Sequence, residues 1–358
     1  MTEQQTGAPA PRGRWRVRSG SHTVAVRRQG MDTDSQVDVA EFLIGEVTGD
    51  RATIRVVRAG ADWSVASWQV TVTTAVLAEL LDRSVREPDL IDKHDVLGGY
   101  FQAGTALFQG PPHPADIAQG LVGDCRVASA FQAVAATPGG PALIQSLITT
   151  GTDVYRVRLV PTAGPKSMPA SGATATAIEI SDYLPVTRND KNPLYLLSGT
   201  PYGPTSSTPI WPAVLEKAFA TMWGGYAALD GAEERPVFAA LGLGDITHVN
   251  WMSGDESKPA VAKTRIMSLA KDGYAITTAA ARGPRHNYAV IGVTEDGPVI
   301  ADPNTKRGAE AEKRWKSAEV VAKLDKMPTA DQFPLHFTWD AFFQNFMWIY
   351  AALPPKKK

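Results

Sequence analysis

A single cysteine is the sequence feature that most limits what this chain can fold into. Cys125 is the one cysteine among 358 residues, so no disulfide can form within the chain, and a cysteine-rich zinc site or an iron–sulfur cluster cannot be built. A hydrophobic core must hold the fold, and the length and the 44% hydrophobic content are sufficient for one. A lone thiol serves either as a small buried side chain or as a nucleophile.

The charges argue against an electrostatic nucleic-acid binder. The 36 Lys and Arg residues nearly cancel the 37 Asp and Glu residues, which gives a formal net charge of −1. The N-terminus has no continuous apolar segment of the kind that secretion signals carry, and no apolar run approaches the roughly 20 residues of a membrane helix. We expect a cytoplasmic protein without nucleic-acid or membrane partners, although export by a signal-peptide-independent system would leave no such mark.

Composition along the chain predicts a disordered N-terminus, two domains and a short tail. Residues 1–14 are rich in Pro, Gly and Gln, which is typical of disorder. Residues 15–100 predict a small, mostly β N-terminal domain, because strand formers alternate between Gly and Asp turns, with one helix over residues 75–85. A larger domain is expected over residues 105–353, followed by a basic tail at residues 354–358. The strands expected in the first domain are residues 15–18, 22–26, 42–47, 52–57 and 68–72.

The larger domain has the pattern of an α+β fold. Helix formers come early and short strand-like segments come later, which is the order of a helical part followed by an antiparallel sheet. The expected helices are residues 116–136 and 212–229. The expected strands are residues 154–160, 175–180, 274–278, 288–293 and 298–301, with a last helix and strand over residues 339–352.

The residues around Cys125 predict that its sulfur lies at the N-terminus of a helix. Gly120 and Gly123 permit a tight backbone, Asp124 can cap a helix, and a run of good helix formers follows the cysteine. Backbone N–H groups and the helix dipole favour a thiolate at that position, and such sites lower a cysteine pKa from about 8.5 to about 3.5–7.5.

A cysteine nucleophile needs a base, and His286 has the most suggestive setting of the six histidines. It precedes an apolar strand, a turn at residues 294–297 and a second strand that ends near Asp302. Positions equidistant from a hairpin turn lie side by side, so His286 is expected opposite Asp302 or Asn304, which differ by a two-residue change in register. Either side chain can orient the imidazole as the third member of a triad.

Five segments resemble, in the same order, the catalytic domain of the calpain family of papain-like cysteine peptidases. They are residues 107–125, which end in Gln-Gly-Leu-Val-Gly-Asp-Cys, and residues 180–186, 210–231, 286–290 and 337–346. The resemblance covers about residues 105–352. It implies a papain-like α+β core, in which a helical subdomain is followed by an antiparallel β subdomain, preceded here by the small β-rich domain.

The resemblance also implies roles for the matched positions. Cys125 matches the nucleophile, and His286 matches the base that pairs with the thiol and then protonates the leaving amine. Gln119 matches the glutamine whose side-chain amide forms the oxyanion hole together with the backbone N–H of the cysteine. Asp302 is expected to orient the imidazole, with Asn304 as the reserve candidate.

Three departures from the family pattern bear on these expectations. Arg126 stands where the family has Trp, and its cation can assist ionisation of the thiol or obstruct a substrate subsite. The family's Asn-Pro-Trp-Gly is Asp-Pro-Asn-Thr at residues 302–305, so the Trp that covers the bond to the His is missing. The acidic residues 32–38 lack the ligand spacing of an EF-hand. The calcium dependence of calpains is therefore not carried over, and no metal or cofactor is expected.

These observations predict a calpain-like cysteine endopeptidase that performs limited proteolysis of protein substrates. Two alternatives keep the same fold: a papain-fold deamidase or transamidase that acts as an effector toxin, and a catalytically decayed binding scaffold. The expected partners are protein substrates, the chain itself through autoprocessing, and a secretion or loading partner bound by the N-terminal domain.

Overall fold

The computed structural model of the protein describes residues 13–18, 21–28, 31, 33–59, 65–91, 98–102, 106–187, 193–196, 208–253, 258–281, 286–305, 309–323 and 327–355. The chain divides into two compact units, which are Met1–Asp89 with Gly151–Val154, and Leu90–Thr150 with Tyr155–Lys358. The first domain was expected to extend to residue 100. Gly98–Gln102 belongs instead to the second unit, because this strand pairs with Tyr183–Thr187.

The first unit is a seven-stranded antiparallel sheet with one helix, so the expected β-rich N-terminal region is confirmed. Its elements are β1 (Gly13–Val17), β2 (His22–Arg28), β3 (Ser35–Val39), β4 (Glu41–Thr48), β5 (Arg51–Ala59), β6 (Val65–Thr73), α1 (Thr74–Asp82) and β7 (Ser84–Glu87). The strands pair in the order β3-β2-β6-β5-β4-β1-β7. Val and Ile side chains that alternate along the strands, together with Phe42 and Leu80, form its core.

Two segments predicted in the first unit have wrong boundaries. Strand β1 begins at Gly13, so residues 13 and 14 are not part of a disordered segment, while residues 1–12 lie outside the described residues. The helix expected over residues 75–85 ends at Asp82, because Ser84–Glu87 pairs with β1. Of the basic tail expected at residues 354–358, the last three residues also lie outside the described part of the chain.

The second unit combines helices with antiparallel sheets, which confirms the expected α+β class. Its α-helices within the described residues are α2 (Cys125–Ala136), α3 (Gly140–Leu147), α4 (Trp211–Trp223), α5 (Glu234–Ala240), α6 (Pro259–Lys271), α7 (Ala309–Lys316) and α8 (Trp339–Asn345). Its strands are β8 (Gly98–Gln102), β9 (Ile148–Thr150), β10 (Val154–Leu159), β11 (Thr176–Ser181), β12 (Tyr183–Thr187), β13 (Gly244–Asn250), β14 (Ala275–Ala280), β15 (Asn287–Val293), β16 (Pro298–Ala301), β17 (Glu319–Val321), β18 (Leu335–Phe337) and β19 (Phe346–Leu353).

The strands of the second unit form one large sheet and two small ones. The large sheet has the order β13-β19-β14-β15-β16-β18-β17, and every pair in it is antiparallel except β17 with β18. The small sheets have the orders β11-β10-β9 and β12-β8. The large sheet is the late antiparallel sheet that the sequence predicts, and it carries the start of β15 directly after His286.

Both long helices expected in the second unit are shorter than predicted. In residues 117–124 the backbone pairs with other segments: the N–H of Gln119 donates to the carbonyl of Pro303 at 2.7 Å, and that of Leu121 donates to Leu194 at 2.9 Å. The helix therefore begins only at Cys125. Helix α4 ends where Gly224 takes a φ of 95°, a conformation that favours glycine, and a short 3₁₀ helix, Tyr226–Leu229, follows.

Helix α2 is buried at the centre of the second unit, against β14 and β15. Val127 and Phe131 have no exposed surface, and the ring of Phe131 lies 5.6 Å from that of Phe219 on α4. Burial of each such side chain contributes about 1.5–3 kcal/mol. This packing brings the first turn of α2 close to the first residues of β15, which is the region of the predicted site.

Gly120 lies in the closely packed segment before α2, and a substitution there tests this packing. An added Cβ atom would overlap the carbonyl oxygens of Leu194 and Tyr195, both backbone atoms. We therefore expect Gly120→Ala to lower the free energy of unfolding by about 1–3 kcal/mol. The control is Gly244→Ala, because no atom lies within 4 Å of its added Cβ. Denaturant unfolding of both variants checks this, and equal stability of the two would contradict the close packing.

Candidate active site

Cys125 is the first residue of helix α2, as the sequence predicts. Its side chain is only partly buried. The backbone N–H groups of a helical first turn have no partner within the helix, so they point toward any group placed beyond the N-terminus. The thiol therefore lies where a developing negative charge is favoured.

His286 lies between Asp302 and Cys125. Its Nε2 atom is 2.7 Å from Oδ1 of Asp302, and its ring also forms a hydrogen bond with the Cys125 thiol. Because Asp302 takes Nε2, the nitrogen left for the thiol is Nδ1. Burial lowers the pKa of His286, but the bonds to Asp302 and Cys125 outweigh it and raise the pKa to about 9. The imidazole is thereby kept protonated at neutral pH.

The hairpin register explains how Asp302 reaches the histidine. Ala289 is paired with Ala301, so continued pairing would place Asn304 opposite His286. The chain instead leaves the strand at Ala301 and turns, and the N–H of Asn304 donates to Oδ1 of Asp302 at 2.8 Å. This turn holds the carboxylate against the imidazole.

Asn304 lies close to the same ring atom, with its Nδ2 3.3 Å from Nε2 of His286. A protonated Nε2 donates its hydrogen to Asp302 and cannot at the same time accept one from an amide. Of Asp302 and Asn304, only Asp302 contributes to the raised pKa of the histidine. Of the two candidates that the sequence leaves open, Asp302 has the geometry expected of the residue that orients the imidazole.

Gln119 is buried beside the turn that follows β16. Its backbone N–H is bonded to Pro303, the residue next to Asp302, and its side-chain Nε2 donates to the carbonyl of Val122 at 2.8 Å. A primary amide has two N–H groups, so this bond uses one of them. The structure thus brings all four predicted site residues, from three separate segments, into one neighbourhood.

Two buried carboxyl groups, Asp124 and Glu216, form a pair next to Cys125 that the sequence does not indicate. Asp124 occupies the N-cap of α2, yet its side chain makes no cap hydrogen bond and lies beside Glu216 of α4. Burial raises the pKa of both groups, that of Asp124 to about 7. The neighbouring Asp124 raises the pKa of Glu216 further, whereas a hydrogen bond from Glu216 lowers that of Asp124, so the ionised form belongs to Asp124 and the proton to Glu216. A proton held by this pair avoids two adjacent buried charges.

Tyr288, at the start of β15, contacts the ring of His286. Its ring stands edge-on to that of His286, with centroids 4.7 Å apart and an interplanar angle of 84°. Residues two apart on a strand share a face, so the spacing from His286 is the signal that predicts this contact. Tyr288 gives the imidazole an aromatic neighbour, in a chain that lacks the family's Trp after Asp302.

Among the residues that the structure describes, no group of three or more His, Cys, Asp or Glu side chains is placed to hold a metal ion. No helix in the described part of the chain has both the length and the apolar character needed to cross a membrane.

Comparison with known families agrees with the arrangement of the site. Residues 100–297 match the calpain family cysteine proteases, and this match spans more than half of the 358 residues. It includes Cys125 and His286 and ends before Asp302. No curated protein matches the chain. The resemblance seen in the sequence is confirmed: the chain belongs to the calpain family of cysteine proteases.

Proposed function

We propose that this protein is a cysteine endopeptidase that cleaves protein substrates at exposed linkers, using Cys125 as the nucleophile. The observation that carries the proposal is the position of His286, which is bonded both to the thiol and to the carboxylate of Asp302. This is the nucleophile–base–orienter arrangement of a catalytic triad. The peptidase family supports the reaction class.

The side chains support a two-step reaction. The Cys125 thiolate adds to the peptide carbonyl carbon, and the tetrahedral oxyanion collapses as protonated His286 gives its proton to the leaving amine. An acyl-enzyme remains. Neutral His286 then takes a proton from water, the hydroxide adds to the acyl carbon, and the thiolate leaves with the carboxylic acid product released. Asp302 stabilises the imidazolium in both steps.

Gln119 is our proposed side-chain donor to the oxyanion, together with the backbone N–H of Cys125. One amide hydrogen is already bonded to Val122, which fixes the side chain, and the second is the donor that we assign to the oxyanion. A preorganised donor of this kind contributes about 10²–10³ in rate.

The proposal extends to substrates and location. We propose protein substrates, including further copies of this protein through autoprocessing, in the cytoplasm or after export by a route that needs no signal peptide. The reaction as proposed uses water and the side chains of the chain itself.

The nucleophile and base are tested with a disordered protein substrate such as casein. Cys125→Ala and His286→Ala should each abolish cleavage, and both should lose labelling by an epoxide thiol inhibitor. His22→Ala, a partly exposed histidine of the first unit, is the control and should keep full activity. Mass spectrometry separates the outcomes: chain cleavage supports an endopeptidase, while side-chain mass changes of about one dalton would indicate a deamidase instead. Folded wild-type protein that neither cleaves nor is labelled would contradict any enzymatic role.

The role of Asp302 is tested by the pH dependence of kcat/KM. Because the pKa of His286 is raised to about 9, the imidazolium persists to that pH and activity should decline only above it. In Asp302→Ala only Cys125 still opposes the effect of burial on the pKa of His286, so the alkaline limb should move to lower pH and kcat should fall. Asn304→Ala should leave the limb in place. The opposite pattern would make Asn304 the orienting residue.

Protonation of His286 also affects the free energy of unfolding. The pKa of His286 is higher in the folded protein, about 9, than the ordinary value of 6.5. Its protonation therefore stabilises the fold fully below about pH 6.5, and this contribution is lost as the pH rises through 9. Wild type should lose more stability than His286→Gln between pH 7 and 10 in denaturant unfolding. Parallel losses in the two proteins would contradict the raised pKa.

A further inference from the structure

Arg126 and Asn287 form a second contact beside the candidate active site. Arg126 follows Cys125 on α2, Asn287 follows His286 on β15, and Nε of Arg126 lies 3.3 Å from Oδ1 of Asn287. The two segments that carry the thiol and the imidazole are thus joined twice, by Cys125 with His286 and by the residues that follow them.

Glu234 joins both members of this second contact. At the start of α5, its Oε1 accepts a hydrogen bond from Nδ2 of Asn287 and lies 3.7 Å from Nε of Arg126. Arg126 also donates to the carbonyl of Ala232 in the same segment, at 3.3 Å. The Glu234 side chain is only 1% exposed, whereas that of Arg126 is 31% exposed.

Such burial is costly for a carboxylate and needs compensation. The charged and titratable groups around Glu234 in the described structure are Arg126 of α2, Tyr350 of β19, and its chain neighbours Glu233 and Arg235. Burial raises the pKa of Glu234 to about 7, and the Arg126 guanidinium opposes this rise. Without Arg126 the buried Glu234 carboxylate would lose its compensating charge, so the ionised form of Glu234 depends on Arg126.

This network also accounts for Arg126 in place of the family's Trp. Its guanidinium contacts Asn287, Glu234 and a backbone carbonyl, so these contacts fix the position of the cation beside the candidate site. An apolar packing contact is replaced by a polar one that reaches from α2 to β15. A hydrogen bond to a charged group is stronger than one between neutral groups, so this contact ties the two segments together.

We propose that Glu234 is a positioning residue: its carboxylate holds Arg126 and Asn287 together and so fixes the approach of Cys125 to His286. The inference rests on the proposed roles of Cys125 and His286. An alternative is that Glu234 acts only by neutralising the Arg126 charge near the thiolate. The two roles are distinguishable, because removing Glu234 changes the reactivity of the thiol in opposite directions.

The experiment is the pH dependence of Cys125 alkylation by iodoacetamide in the full-length protein. In Glu234→Gln the thiol and imidazole are no longer held in place, so the thiolate loses its partner and the midpoint should move up by about one pH unit. If Glu234 only neutralised the Arg126 charge, the variant would leave that positive charge unopposed near the thiolate, and the midpoint would move down. A downward shift, or no shift, overturns the proposal.

Two further variants complete the test. Glu233→Gln makes the same charge change at the neighbouring residue and should leave the midpoint where it is in wild type. Asn287→Ala keeps every charge and removes only the bridge, so it should also raise the midpoint, and it serves if Glu234→Gln fails to fold by circular dichroism. An unshifted Asn287→Ala would likewise overturn the proposal. Because alkylation needs no peptide, the result stands even if the protein cleaves none of the substrates offered.

Discussion

The hydrogen bond between His286 and Asp302 is the interaction on which the candidate active site depends. A buried imidazole on its own would be neutral at pH 7, because burial disfavours its charge. The carboxylate 2.7 Å away and the neighbouring thiol reverse that balance and raise the pKa of His286 to about 9. A protonated imidazole next to the sulfur is what a thiolate nucleophile requires, and it is also the acid that a leaving amine requires.

The surrounding fold supplies this bond through backbone contacts between distant segments. The turn after β16 is held by the N–H of Gln119, which binds the carbonyl of Pro303, so the segment that precedes the nucleophile also supports the segment that carries Asp302. Across the site, Arg126 and Asn287 join α2 to β15. Helix α2 is buried from Val127 to Ala135, and this packing limits how far its first turn can move away from the histidine. The candidate active-site residues are therefore held on packed elements and not on loops alone.

Much of this could be predicted from the sequence, because the signals are local or periodic. The strands of the first unit follow from alternating β-branched residues, and the place of Cys125 at a helix start follows from the glycines and Asp124 before it. The hairpin predicts that His286 lies near Asp302 and Asn304. Which of the two contacts the imidazole depends on where the chain leaves the strand, and the residue pattern does not specify that point. The early start predicted for α2 is wrong because tertiary backbone bonds override helix propensity in residues 117–124. The Asp124–Glu216 and Arg126–Glu234 pairs join residues that have no sequence relation to one another.

The central claim is that Asp302 and the thiol keep His286 protonated well above neutral pH. The most direct measurement is an NMR titration of the imidazole resonances in ¹⁵N-histidine-labelled protein, with the signal assigned by its loss in His286→Gln. The account predicts that His286 titrates with a midpoint near pH 9. A midpoint at or below the ordinary value of about 6.5 would contradict it, because the imidazole would then be neutral at the pH where the thiolate needs its charge.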